Sequence, residues 1–130
     1  WQNSSEMSVL IYPKESYDII GICMEIHRLL GPGLLEIVYK DALEYEFRKK
    51  AVLYEREKEY MVRYKDVILP HRFYADFVVL DKIILEVKAV SNLQNESIAK
   101  AINYLKISGN RLGLVVNFGT DELVYKRVVF

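Results

Sequence analysis

Three charged residues interrupt an apolar, β-type run at Asp76-Phe-Val-Val-Leu-Asp-Lys-Ile-Ile-Leu-Glu86-Val-Lys88. Asp81-Lys82 supplies a turn, so the apolar stretches on either side read as the two arms of a hairpin. Residues i and i+2 of a strand share a face, which sets Glu86 beside Lys88 and brings Asp76 onto the neighbouring strand. Charge at the end of a buried strand is costly unless it is paired or holds a metal. Two convergent carboxylates suit a hard cation such as Mg²⁺, and a nearby lysine can position an attacking water or neutralise phosphate charge. The set suits metal-assisted attack on a phosphodiester. A cross-strand ion pair at a sheet edge accounts for the same residues without any chemistry.

Two other clusters carry polar groups at helical spacing. Glu36 and Tyr39 follow the Gly31-Pro32-Gly33 turn and share a helix face, with Tyr39 a candidate nucleic-acid contact. Glu36 could add a third carboxylate to the cation, or simply favour the helix N-terminus through the macrodipole. His27 and Arg28, just before the turn, are candidate phosphate contacts or a solvated helix face. Lys100 and Tyr104 stand four apart on a later helix and could meet a nucleic-acid backbone. Ten tyrosines and one tryptophan offer stacking surfaces for unpaired bases, although most aromatics in a domain are core.

The elements that must position these groups follow from apolar periodicity. Ile19, Ile22, Cys23, Ile26, Leu29 and Leu30 keep helical spacing up to Gly31-Pro32-Gly33, and a second helix runs from about Leu34 to Lys50. Tyr54 to Leu69 reads as two strands around Lys65-Asp66. Pro70-His71 is expected to break that run before a Phe73–Leu80 strand. A third helix is predicted over Glu96–Ser108, then strands at Leu112–Asn117 and Leu123–Phe130. One α/β layered domain is the economical outcome.

At 130 residues, with eighteen basic and eighteen acidic side chains, the chain has the size of one domain and no net charge. It lacks the basic footprint of a nonspecific nucleic-acid or membrane binder, so any charged partner must be recognised locally. The single cysteine, Cys23, allows neither an internal disulfide nor a cysteine zinc cluster, and it falls on the apolar stripe of the first helix. No apolar run reaches membrane-spanning length, and a cytoplasmic protein is expected.

Several separated motifs carry a family resemblance. Gly33-x-x-Glu36-x-x-Tyr39, preceded by His27-Arg-Leu-Leu-Gly-Pro, resembles the signature of the small prokaryotic GxxExxY proteins, assigned to the PD-(D/E)xK nuclease superfamily. The likeness continues through Tyr74-Ala-Asp76-Phe-Val-Val, Leu85-Glu86-Val-Lys88-Ala-Val, Asn103-Tyr-Leu-Lys and Arg111-Leu-Gly-Leu-Val-Val-Asn117-Phe-Gly. It implies a restriction-endonuclease-like α/β domain over residues 17–130, a mixed sheet flanked by helices, after a lead-in of residues 1–16. It further implies Mg²⁺ or Mn²⁺ held by Asp76, Glu86 and the Val87 carbonyl, with Glu36 in support. Lys88 would position the water that attacks DNA or RNA, and small nuclease-fold proteins often work as homodimers. The alternative is a nuclease fold kept as a binding or assembly module. Relatives in the exonuclease-like branch usually carry glutamine where this chain has Lys100, and a lysine cannot reproduce an amide's donor and acceptor pair.

Overall fold

The computed structural model describes residues 11–130, so residues 1–10 of the expected lead-in lie outside the described residues. Helix α1 (Pro13–Leu30) begins four residues before Tyr17, with proline in its first turn, where the missing N–H costs nothing. Ile11 is buried in the core, and Arg127 near the C-terminus bonds the Ser16 hydroxyl and, at 2.8 Å, the Ile11 carbonyl. Residues 11–16 therefore pack against the elements that follow them. Gly31, at φ 69, ends α1, its N–H donating to the His27 carbonyl.

Helix α2 (Glu36–Lys49) follows, then strands β1 (Tyr54–Tyr64), β2 (Val67–Val79) and β3 (Ile83–Lys88), helix α3 (Asn95–Ser108) and strands β4 (Leu112–Asn117) and β5 (Val124–Val129). The sheet order is β1-β2-β3-β4-β5. Among the described residues only the β3–β4 pair is parallel, and α3 is the crossover such a pair requires. This is the mixed sheet with flanking helices expected of the restriction-endonuclease-like fold. Ile83, Leu85, Leu112, Leu114 and Val116 pack under α1 and α2, whereas Ile84 and Val115 pack under α3. Because both faces of β3 and β4 are covered, their sequences read as unbroken apolar runs.

Two details of the β-strands matter for the site. Pro70-His71 does not break β2, contrary to expectation. The register runs from Met61↔Arg72 to Arg63↔Ile68, so Leu69–His71 bulge against Val62, and a proline without an N–H is tolerated there. The β2–β3 turn, in contrast, forms where a hairpin was expected, but it is centred on Leu80-Asp81, one residue before Asp81-Lys82. Leu80 and Asp81 both have positive φ, as a primed hairpin turn requires, and the Lys82 N–H returns to the Val79 carbonyl at 3.1 Å.

Beyond β3, Asn117 is fully buried and clamps the following segment. Its side chain accepts from the Val90 N–H and donates to the Val90 carbonyl, each at 2.9 Å, and also accepts from the Gly119 N–H. This draws the β4–β5 turn onto the chain leaving Lys88. A methyl on Gly119 would lie 2.3 Å from the Val90 carbonyl oxygen. Gly119→Ala should therefore lower stability by about 3 kcal/mol, read as an early unfolding midpoint in urea. Unchanged stability would show that the clamp is not tight.

Candidate active site

Strand β2 pairs with β3 through Val79↔Ile83, Val78↔Ile84 and Phe77↔Leu85, and there the regular ladder between them stops. The next residues along are Asp76 and Glu86, and their side chains bridge the gap. The Asp76 N–H donates to Glu86 Oε2 at 2.9 Å, and the Val87 N–H donates to Asp76 Oδ2 at 2.8 Å. Each carboxylate takes the place of a carbonyl on the opposite strand. The two acids are thereby fixed at the mouth of a fork, with Glu86 1% and Asp76 8% exposed.

The strands change face at the same level. Tyr54 packs against Phe77 on the α1–α2 side, but Tyr60, six residues on, meets Tyr104 under α3. An unbroken strand would keep both on one face. Between them Glu57 adopts φ 53, and on β2 the core side switches between Ala75 and Phe77, at Asp76. Asp76 thus sits at the seam between the two layers.

Each carboxylate has one oxygen left over. Asp76 Oδ1 accepts from Lys40 Nζ at 3.0 Å, and Lys40 also donates to Glu57 Oε2 at 2.6 Å. Glu86 Oε1 is buried without a hydrogen-bond partner among the described residues; Lys100 Nζ stands 3.7 Å away, close enough to pair its charge but not to bond. Burial, and then the Asp76 charge, push the Glu86 carboxyl up to about 7, against opposing pulls from the Asp76 N–H, Lys100 and Lys88. For Lys40, burial disfavours the ammonium, but the bonds to Glu57 and Asp76 outweigh it and its pKa is raised.

A family model described as the PD-(D/E)XK nuclease superfamily matches residues 13–128. The chain belongs to that superfamily. The solved structure of SSO0001 shares its fold with a TM-score of 0.58 at 16% identity, over 71% of this chain and 48% of that one. The chain thus spans about half the length of that structure. No curated protein matches. Nucleases of this superfamily act on nucleic acids and generally use divalent metal ions.

The residues fit such an ion. A hard cation takes oxygen ligands, and the fork offers a bare buried carboxylate oxygen on Glu86 and one on Asp76 held only by Lys40. Val87 would add its carbonyl from the same side. The Lys88 carbonyl is taken by the Phe118 N–H on the β4 side. Because backbone groups alternate sides along a strand, the Val87 carbonyl shares the β2 side with its N–H.

The other residues singled out in the sequence divide sharply. Lys88 is half-buried at the end of β3 beside Glu86, and Lys100 faces the site from α3. Glu36 stays apart: no three His, Cys, Asp or Glu side chains among the described residues form a metal-holding group, and Glu36 occupies the first turn of α2, where the helix dipole favours an acid. Three expected nucleic-acid contacts are structural. Tyr39 is fully buried, stacks on Phe118 at 4.6 Å, donates to the Gly31 carbonyl at 2.6 Å and accepts from the Leu34 N–H at 3.2 Å. It ties down the glycine turn. Tyr104 is 2% exposed and donates to the Tyr74 carbonyl at 2.7 Å; burial first, then the Glu86 and Asp76 charges, push its hydroxyl up to about 12. His27 donates from Nε2 to the Thr120 carbonyl at 2.8 Å, latching α1 to the β4–β5 turn. Arg28 alone of that pair is exposed.

Lys40 is the site residue that sequence reasoning missed. It lies in the stripe Lys40, Leu43, Phe47, whose other members are fully buried, so a lysine at helical core spacing was the available signal.

The raised Glu86 carboxyl has a sign that can be tested. The native state holds this proton up to about pH 7 while the unfolded chain releases it near 4.5. Without metal, stability should fall as pH rises through that window and then level off. Glu86→Gln should remove that fall in chelator-treated protein followed by thermal unfolding. An unchanged slope in the variant would assign the titration to another group.

Proposed function

We propose that the protein is a metal-dependent nuclease of the GxxExxY type that hydrolyses phosphodiester bonds. Asp76, Glu86 and the Val87 carbonyl would hold Mg²⁺ or Mn²⁺ at the fork. The observation that carries this reading is the pair of left-over carboxylate oxygens, one of them buried and bare, inside a superfamily whose members cut nucleic acids. When bound, the ion would supply positive charge to the phosphate and lower the barrier to attack by water.

The chain's own groups divide the remaining work. Lys88 follows Glu86 on the same strand face and carries its charge to the mouth of the fork. It orients the attacking water and stabilises the negative charge that develops on the phosphate. Lys100, with its side chain 48% exposed, reaches both solvent and the Glu86 carboxylate, and serves as a phosphate contact. Lys40 neutralises Asp76 in the metal-free protein and competes with a cation for Oδ1. The GxxExxY assignment rests on Gly33, Glu36 and Tyr39, whose tyrosine fastens the turn before α2 and so sets the position of Lys40 one residue later. Among the described residues no helix is long and apolar enough to cross a membrane. β5 is an outer strand of the sheet, the edge through which a homodimer would pair.

Two measurements test the reading. Asp76→Asn and Lys88→Ala should each lower Mn²⁺- or Mg²⁺-dependent cleavage of labelled nucleic acid at least about a hundredfold while unfolding stays cooperative. Cleavage that survives both changes would sink the assignment. In calorimetric titrations with Mn²⁺, Glu86→Gln should abolish binding and Lys40→Met should tighten it, because the competing ammonium is gone. Equal affinity in Lys40→Met and wild-type protein would show that Lys40 does not compete with the ion.

A further inference from the structure

Beyond the fork, β1 and β2 leave the sheet together as a two-stranded arm. From Arg63 to Arg72 every residue is exposed; Arg63 pairs with Ile68 and Tyr64 with Val67 around the Lys65-Asp66 turn, and Arg72 pairs with Met61 at the arm's base. From Asp76 back to Val67 the arm reaches roughly 25–30 Å. An isolated two-stranded ribbon is marginal in water, yet this one exposes Tyr64, Val67, Ile68 and Leu69, at 55%, 52%, 45% and 37%. Its charges are biased as well. Within the arm Arg63, Lys65 and Arg72 stand against one acid, Asp66, on a chain with no net charge, and Arg72 also lies 3.8 Å from the Glu59 carboxylate on β1. Lys65 leans over the Tyr64 ring at 5.5 Å, and Arg72 is held by the Leu69 and Pro70 carbonyls, which fixes the bulge as part of the arm's shape.

We propose that the Arg63–Arg72 arm seats in the major groove of duplex DNA whose backbone passes the Asp76–Glu86 fork. This deepens the nuclease reading and rests on it for the position of the scissile phosphate. The groove of B-form DNA, about 12 Å wide, admits a two-stranded ribbon, whereas the deep, narrow groove of A-form RNA excludes side chains. Arg63 and Lys65 meet phosphates on the groove walls. Ile68, Val67 and Leu69 supply apolar contact of the kind that thymine methyl groups accept. Because β2 carries both the arm and Asp76, the seated duplex and the cutting site share one strand. The arm's bulge adds twist, which suits a ribbon following a helical groove.

The test is fluorescence anisotropy in chelator, where nothing is cut, with a labelled duplex DNA, the same sequence as duplex RNA, and single-stranded DNA. Wild-type protein should bind duplex DNA at least about tenfold tighter than the other two. The double variant Arg63→Gln, Lys65→Gln should lose about tenfold on duplex DNA. The slope of log affinity against log salt should shrink by about 2. Both side chains are exposed, and the unfolding midpoint of the variant should match the wild type. Equal binding of the three nucleic acids, or a variant that binds like wild type, would overturn the proposal. So would a sedimentation run showing a wild-type dimer that Ile68→Asp disperses, which would give the apolar arm to a second copy. If the arm variant binds normally while Asp76→Asn abolishes cleavage, the arm fails and the nuclease stands. Arm-dependent binding without Asp76-dependent cleavage gives the reverse.

Discussion

Everything at this site depends on one exchange of hydrogen bonds. Where β2 and β3 part, each strand gives an N–H to the other's carboxylate: Asp76 to Glu86 and Val87 to Asp76. A fork in a sheet leaves backbone donors without partners, and a buried unpaired donor costs about as much as a lost hydrogen bond. The two acids remove that cost and are immobilised in doing so. Their remaining oxygens then have fixed positions before any ligand arrives. Placement of this kind is what catalytic groups need, since loosely held side chains lose most of their advantage.

The same arrangement sets an electrostatic problem that the lysines answer. Two buried carboxylates side by side repel, and the rise of Glu86 to about 7 records both that repulsion and its burial. Lys40 approaches from α2 and Lys100 from α3, while Lys88 is carried by β3 itself. Each layer of the fold contributes one cation. Buried ion pairs seldom add net stability, because desolvation consumes the Coulombic gain. Stability alone is therefore a weak reason for such a cluster, and a site that must accept a cation and a phosphate is a better one.

Much of this was legible beforehand, for particular reasons. The hairpin showed itself because Asp81-Lys82 divides two apolar runs, and the Asp76, Glu86, Lys88 set stood out because charge is rare in a strand buried on both faces. What failed was the assignment of side chains with two roles. Tyr39, Tyr104 and His27 each combine an apolar ring with a polar tip, and sequence cannot tell whether that tip meets a ligand or a backbone carbonyl. Here all three meet carbonyls. Pro70 misled because a proline reads as a strand breaker until a bulge makes room for it. Lys40 was overlooked because its importance comes from Asp76 and Glu57, distant in sequence, converging on its ammonium.

The corrections change what the glycine-turn motif means. Its tyrosine is fully buried; it fastens Gly31 and Leu34 and stacks on Phe118, which in turn follows the clamp residue Asn117. Its glutamate opens α2 and stays out of the carboxylate pair. The motif therefore acts on the fork at one remove, by fixing where α2 begins and so where Lys40 lands on Asp76. The glycine-turn pattern and the residue set that would do the chemistry are then distinct here, joined by a single lysine. Loss of the turn would disturb the fork through Lys40, whereas loss of the fork acids would leave the turn intact.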